Sequence, residues 1–190
     1  MAPPEAALIT GVFGSGKSTV LAEAADLLEV GGLPFAAIDV DWLGWAVTAA
    51  DAAGTSTASG VASGGDPAPP PHPAFGDLAL ENLALVVAND QRHGIERFLL
   101  AHAVWTPDEL TALRATLPMP LRVVGLTVPL PVVQARLAGG PTRARQDDLA
   151  RTEAFMASGA TAVHVDLSLD ADRPVAAIAR ELVDWLGWLD

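Results

Sequence analysis

The chain predicts an α/β protein, a five-stranded parallel sheet covered on both faces by helices. Five short apolar runs alternate with stretches of helical periodicity, the pattern of repeated strand–helix units. The runs are nearly continuous in Ala, Val, Leu and Ile, as strands buried on both faces are. A glycine-rich turn joins the first run to the first helix, at the strand end where such sheets bind ligands. With 190 residues, one domain over 1–190 accommodates all of this and buries a sizeable core.

The first strand is Ala6-Ala7-Leu8-Ile9-Thr10. A helix follows from Lys17 to Glu29, with Val20, Leu21, Ala24, Leu27 and Leu28 on one stripe and Gly31-Gly32 ending it. Pro34 to Asp39 reads as the second strand, stopping in Asp39-Val40-Asp41. Trp42 to Ala50 continues as a short helix. Residues 51–73 are low-complexity Gly/Ser/Ala sequence running into Pro, either a lid on the acceptor side or an irregular insertion. Helical periodicity resumes over 74–91, and Arg97–Val104 is the third strand. Thr106-Pro107-Asp108-Glu109 has the N-cap, the N1 proline and the first-turn acids of a helix start. Leu121–Val128 is the fourth strand, Pro131 opens a helix through Leu137, and Gly139-Gly140-Pro141 breaks it. A helix over 146–158, a last strand at 162–167 and a helix from Pro174 complete the pattern, the final helix burying Val175, Ile178, Ala179, Leu182, Val183 and Leu186.

The turn after the first strand is Gly11-Val12-Phe13-Gly14-Ser15-Gly16-Lys17-Ser18-Thr19, which has the G-x-x-x-x-G-K-[ST] form of a Walker A loop. Gly11, Gly14 and Gly16 let main-chain N–H groups turn inward and approach a phosphate with no Cβ in the way. Lys17 reaches the β- and γ-phosphates, and the Ser18 hydroxyl is placed to hold Mg²⁺. Ten of the eleven basic residues are Arg, so the single lysine of the chain is the motif lysine. The carboxylates of Asp39 and Asp41, at the end of the second strand, land beside this cradle if the two strands lie near each other.

Composition narrows the function further. A net charge of -12 repels polyanions and argues against binding DNA or RNA through many phosphates, whereas one nucleotide in a local cradle is compatible with it. Cysteine is absent, which excludes disulfides, thiolate metal sites and thiol nucleophiles. Met1-Ala-Pro-Pro-Glu5 has no basic n-region, and no later stretch reaches membrane-span length, so a soluble, cytoplasmic protein without a membrane partner is expected.

With these elements in order, the chain resembles the P-loop kinases of the adenylate kinase-like group, which includes nucleoside monophosphate, gluconate, shikimate and adenylylsulfate kinases and chloramphenicol phosphotransferase. Gly11 to Thr19 match the ATP loop, Asp39-Val40-Asp41 resembles the acidic motif ending strand two, and Arg136-Leu137 with Arg143 and Arg145 resembles the Arg-rich LID, here within 138–151. The segment after strand five resembles the adenine-flanking loop. The resemblance implies a three-layer P-loop NTPase sandwich with the adenylate kinase-like strand order. It also implies transfer of the γ-phosphate of ATP, with Mg²⁺, to a hydroxyl of a small-molecule acceptor. On it, Gly11, Gly14, Ser15, Gly16, Lys17, Ser18 and Thr19 bind the nucleotide with Arg145, and Ser18 holds the metal. Arg136 and Arg143 join Arg145 in closing over the phosphates, and either Asp39 or Asp41 takes the acceptor proton or orients Mg²⁺ through water.

One departure stands out. Where the group places a Walker B Asp at the end of strand three, this chain has Leu100-Ala101-His102-Ala103, and His102 reads as a satisfied structural residue, with a place facing the acceptor as the alternative. From Ser18 through Gln91 there is no Lys or Arg, the stretch where an acceptor phosphate would need arginines. The acceptor is therefore expected to be neutral or cationic. Trp42 and Trp45 fit a core-facing helix edge and a stacking platform for a planar acceptor equally; Trp185 and Trp188 fit simple packing. A nucleotide-dependent ATPase or switch acting through a protein partner is the alternative function.

Overall fold

The computed structural model describes residues 3–46, 77–138, 143–158 and 163–189; the low-complexity stretch 51–73 and the Gly139-Gly140-Pro141 break lie outside them. Five strands, β1 (Glu5–Thr10), β2 (Phe35–Asp39), β3 (Arg97–Ala101), β4 (Leu121–Thr127) and β5 (Leu167–Asp170), form one sheet in the order β2-β3-β1-β4-β5. Every pairing in it is parallel. Seven helices are seen among the described residues: α1 (Lys17–Val30), α2 (Val40–Leu43), α3 (Asp77–Arg92), α4 (Pro107–Thr116), α5 (Leu130–Ala138), α6 (Arg143–Ser158) and α7 (Val175–Leu186).

Strand periodicity sorts the core into two layers. On β1, Ala7 and Ile9 face one side with Leu99, Ala101, Val124 and Leu126, and α1, α5 and α7 cover them. Ala6 and Leu8 face the other with Phe98, Leu100 and Val123, beneath α3 and α4. The central strands are thus buried on both faces, which is why they read as unbroken apolar runs. Register then sets the site: Asp39 lies opposite Ala101, and Ala101 opposite Ile9, so the ends of β2, β3 and β1 finish at one level.

The sequence expectation for the last strand is corrected. The ladder forms at Leu167–Asp170 and not at 162–167. Asp166 initiates it, its N–H donating to Val123 O at 2.7 Å while its Oδ2 accepts from Val123 N–H at 2.7 Å. The apolar residues ahead of it are used for packing: Val163 is buried, and Val165 lies over Gly125. An edge strand alternates, and Leu169 buried between exposed Ser168 and Asp170 does so, whereas a search for a continuous apolar run selects the approach segment.

The α4 start agrees with the sequence in detail. Thr106 Oγ1 accepts from Glu109 N–H, and Glu109 Oε2 accepts in return from the N–H groups of Thr106 and Trp105, a capping box that fixes Trp105 beside the site. Trp185 and Trp188 pack as expected. Arg122 lies over the Trp185 ring, donates to the Trp185 and Leu186 carbonyls at the end of α7, and pairs with Glu5, which also accepts from Trp188 Nε1.

Candidate active site

The loop from Gly11 to Gly16 closes only with glycine at three places. Gly11 has φ +150°, and a Cβ there would stand 2.8 Å from the Leu126 carbonyl oxygen; at Gly14, with φ +76°, it would press on the Leu137 side chain at 3.0 Å. Gly16 caps α1 in the left-handed region at φ 99° without a side-chain hydrogen bond, so the first-turn N–H groups have no cap acceptor. Ser15 is buried, and its Oγ has no hydrogen-bond partner among the described residues. An anion-sized cradle with unspent donors is what these features make. Thr19 is exposed in the first turn of α1.

Lys17 is 6% exposed and turns back over this loop, donating to the carbonyls of Gly11 and Val12 at 3.0 Å each. Its Nζ also lies 5.5 Å from the centre of the Phe13 ring. Burial pulls its pKa from the ordinary 10.5 down to about 8, and the negative charges of Asp41, Asp39 and Asp148 act in the opposite direction. Lys17 thus sits where three carboxylates converge, a cation balanced between desolvation and attraction.

The two strand-end carboxylates have different partners. Asp39 Oδ2 accepts from Ser18 Oγ at 2.6 Å, while its Oδ1 accepts from Asp41 N–H at 3.2 Å and so caps α2. Asp41 Oδ1 lies 2.5 Å from His102 Nδ1. His102 follows β3 directly, and its own N–H donates to Ile9 O at 3.1 Å, so the sheet fixes its main chain. The sequence expectation of a structural role for His102 does not foresee this contact; its one signal is a polar residue at the end of an apolar strand.

Arg136 reaches across from α5. Its Nη1 donates to the carbonyls of Gly14 at 3.3 Å and Ser15 at 3.2 Å, and its Nη2 to Ala171 O at 2.9 Å, tying the phosphate loop to the segment after β5. Arg143 and Arg145 belong to the first turn of α6, and their side chains lie outside what is described. Further along α6, Phe155 meets Trp105 edge-on at 4.7 Å, and Trp105 in turn lies 5.4 Å from Phe13, so an aromatic row runs from α6 to the loop. Replacing Arg136 with Met should lower folding stability by about 1–2 kcal/mol, because three partly exposed hydrogen bonds are lost. Thermal melts check this, and an unchanged melting temperature would show that the loop holds its shape without the guanidinium.

Trp42 and Trp45 do not face the core. They are 67% and 72% exposed and stack on each other at 4.9 Å, because α2 ends at Leu43 and Trp45 lies beyond it. The core-facing alternative is therefore excluded, and an open aromatic pair stands a few residues from Asp41. No described helix is long and apolar enough to cross a membrane.

No protein-family model matches the sequence, and no curated protein matches it. Solved structures do. A sugar kinase from Janibacter sp. HTCC2649 is 18% identical, with 97% of this chain and 95% of that one covered at a TM-score of 0.62. The APS kinase of Mycobacterium tuberculosis, in complex with AMPPNP and APS, is 19% identical, covering 98% and 99% at a TM-score of 0.58. A gluconokinase from Sinorhizobium meliloti 1021 is 20% identical, covering 100% and 95% at 0.55. These likenesses span nearly the whole length of both chains: the chain has the fold of these P-loop small-molecule kinase structures, α/β with a five-stranded parallel sheet.

Proposed function

We propose that the protein transfers the γ-phosphoryl group of ATP to a hydroxyl of a small acceptor that is neutral or cationic. The observation that carries this reading is the pairing of Ser18 with Asp39 at 2.6 Å beside the glycine cradle, with Asp41 two residues further on. The names of the structural neighbours, a sugar kinase, a gluconokinase and an APS kinase with AMPPNP and APS, support it.

Mg²⁺ suits the donor set. One hydroxyl and one carboxylate, both hard oxygen donors, are about what this ion takes from protein when substrate phosphates complete its shell. When bound, the ion would neutralise charge on the phosphates.

The residues of the chain divide the remaining work. Main-chain N–H groups of the loop hold the phosphates, and Lys17 exchanges its carbonyl partners for phosphate oxygens. Arg143 and Arg145 approach from α6, and Arg136 keeps the loop in shape. Asp39 serves the Ser18 side of the site. Asp41 accepts the acceptor's hydroxyl proton as the acceptor oxygen bonds to the γ-phosphorus; the bond from that phosphorus to the bridging oxygen breaks, and ADP leaves with the bonding pair.

The acceptor class rests on charge and exposure. No Lys or Arg lies between Ser18 and Gln91, whereas Asp41 and the open Trp42–Trp45 pair do, a surface suited to a hydroxylated molecule with a flat or cationic part. Incubation with ATP, Mg²⁺ and a panel of nucleosides, amino alcohols, sugars and hydroxylated antibiotics should yield an acceptor heavier by one phosphate in mass spectrometry. A strong preference for nucleoside monophosphates would overturn the acceptor class. No product with any acceptor, together with ATP turnover altered by a protein partner, would replace the transferase with a switch.

A further inference from the structure

His102 stands directly after β3, and its environment differs from that of a packing residue. The imidazole is 12% exposed and the Asp41 carboxylate 44%, so the ring forms the floor and the carboxylate faces the opening. Asp41 stands on α2, a single turn of four residues that is too short to aim a side chain by itself. The helix is held by buried Val40, by the Asp39 cap on Asp41 N–H and by Asn82 Nδ2 donating to Leu43 O, and all three fix its main chain only. The contact at 2.5 Å with His102 Nδ1 fixes the carboxylate itself.

Building on the phosphotransfer reading above, we propose that His102 is the positioning residue for Asp41: its Nδ1–H orients the Asp41 carboxylate toward the acceptor hydroxyl. A carboxylate only accepts, so the proton of this contact sits on Nδ1, which sets the tautomer of the ring. The arrangement is that of a base held by a third group, with the order reversed, the carboxylate accepting the substrate proton and the imidazole orienting it. Asp39 is not equivalent, since its two oxygens are engaged by Ser18 and by the α2 main chain.

The test uses the acceptor found by the panel. His102→Leu should lower kcat by about 10- to 100-fold, part of the 10²- to 10⁴-fold that a positioned base contributes, with the KM for ATP changed less than about twofold. His102→Asn, whose side-chain N–H sits near the place of Nδ1, should recover most of the loss. In an Asp41→Ala background the further change His102→Leu should cost little, because the group it positions is already gone. Independently of turnover, the His102 Nδ1–H proton should appear at low field in NMR spectra of the wild type and disappear in Asp41→Ala. A His102→Leu variant with unchanged kcat, or effects that multiply in the double variant, would overturn the role of His102 alone. A wild type that phosphorylates no acceptor overturns the phosphotransfer reading and this proposal with it.

Discussion

Replacing Lys17 with methionine should lower phosphoryl transfer by about 10³-fold or more while leaving the protein folded, since it removes the cation aimed at the charge that develops on the transferring group. The fold should survive because the two sides of the exchange nearly offset each other. The variant leaves the Gly11 and Val12 carbonyls without their donor, but it also relieves the burial of a charge. The change in stability at pH 7 should therefore stay within about 1 kcal/mol, read from denaturant titrations. Transfer at the wild-type rate in this variant would remove the phosphate-cradle assignment.

On the phosphotransfer reading the same lysine should make nucleotide binding pH-dependent, with a sign that follows from its environment. Its pKa is about 8 in the folded protein against 10.5 ordinarily, so between these values the unfolded chain holds a proton that the folded one has released. Stability from this group is lowest below about pH 8, where the charged form must be buried, and rises as pH increases toward 10.5. A bound triphosphate supplies the countercharge that burial denies and raises the pKa again. Binding above pH 8 should then take up a proton, and calorimetry in buffers of different ionisation enthalpy reads it directly. A Lys17→Met protein should show no such uptake.

How legible the site was in sequence depended on how far apart in the chain its parts lie. The cradle is contiguous, and Gly11, Gly14 and Gly16 each meet a local need, a positive φ or a close approach. Asp39 and Asp41 were visible as a strand-end pair, yet their separate partners were not. Ser18 lies 21 positions from Asp39, and His102 lies 61 from Asp41. Only the β2-β3-β1 order brings those three strand ends together. Arg136 was visible as a cation on the donor side, but the three carbonyls it holds belong to the turns after β1 and after β5, which periodicity does not report. Trp42 and Trp45 were ambiguous because a spacing of three marks a helix face only where the helix continues, and here it stops after one turn. The last strand was misplaced for a related reason, hydrophobicity marking burial and not ladder pairing.

Changing Asp39 to asparagine should separate the two jobs this residue has in the structure. Asparagine caps a helix about as well as aspartate, so Oδ1 can still accept from Asp41 N–H, α2 should keep its place and stability should shift by less than about 1 kcal/mol. What is lost is the negative charge beside Ser18 Oγ, where the proposed function puts Mg²⁺. Transfer should fall by about 10²-fold, and the Mg²⁺ concentration for half-maximal rate should rise, whereas His102→Leu should leave that concentration unchanged. Asp39→Ala removes the cap as well and should cost about 1 kcal/mol more in stability than Asn does. If Asn transfers phosphate at the wild-type rate and only Ala is impaired, Asp39 is a helix cap and the metal side of the site depends on Ser18 without it. If Asn alone abolishes the reaction with the fold intact, the charge at Asp39 carries the metal side of the site from the end of β2, and the end of β3 is left to His102, which orients Asp41 as the base.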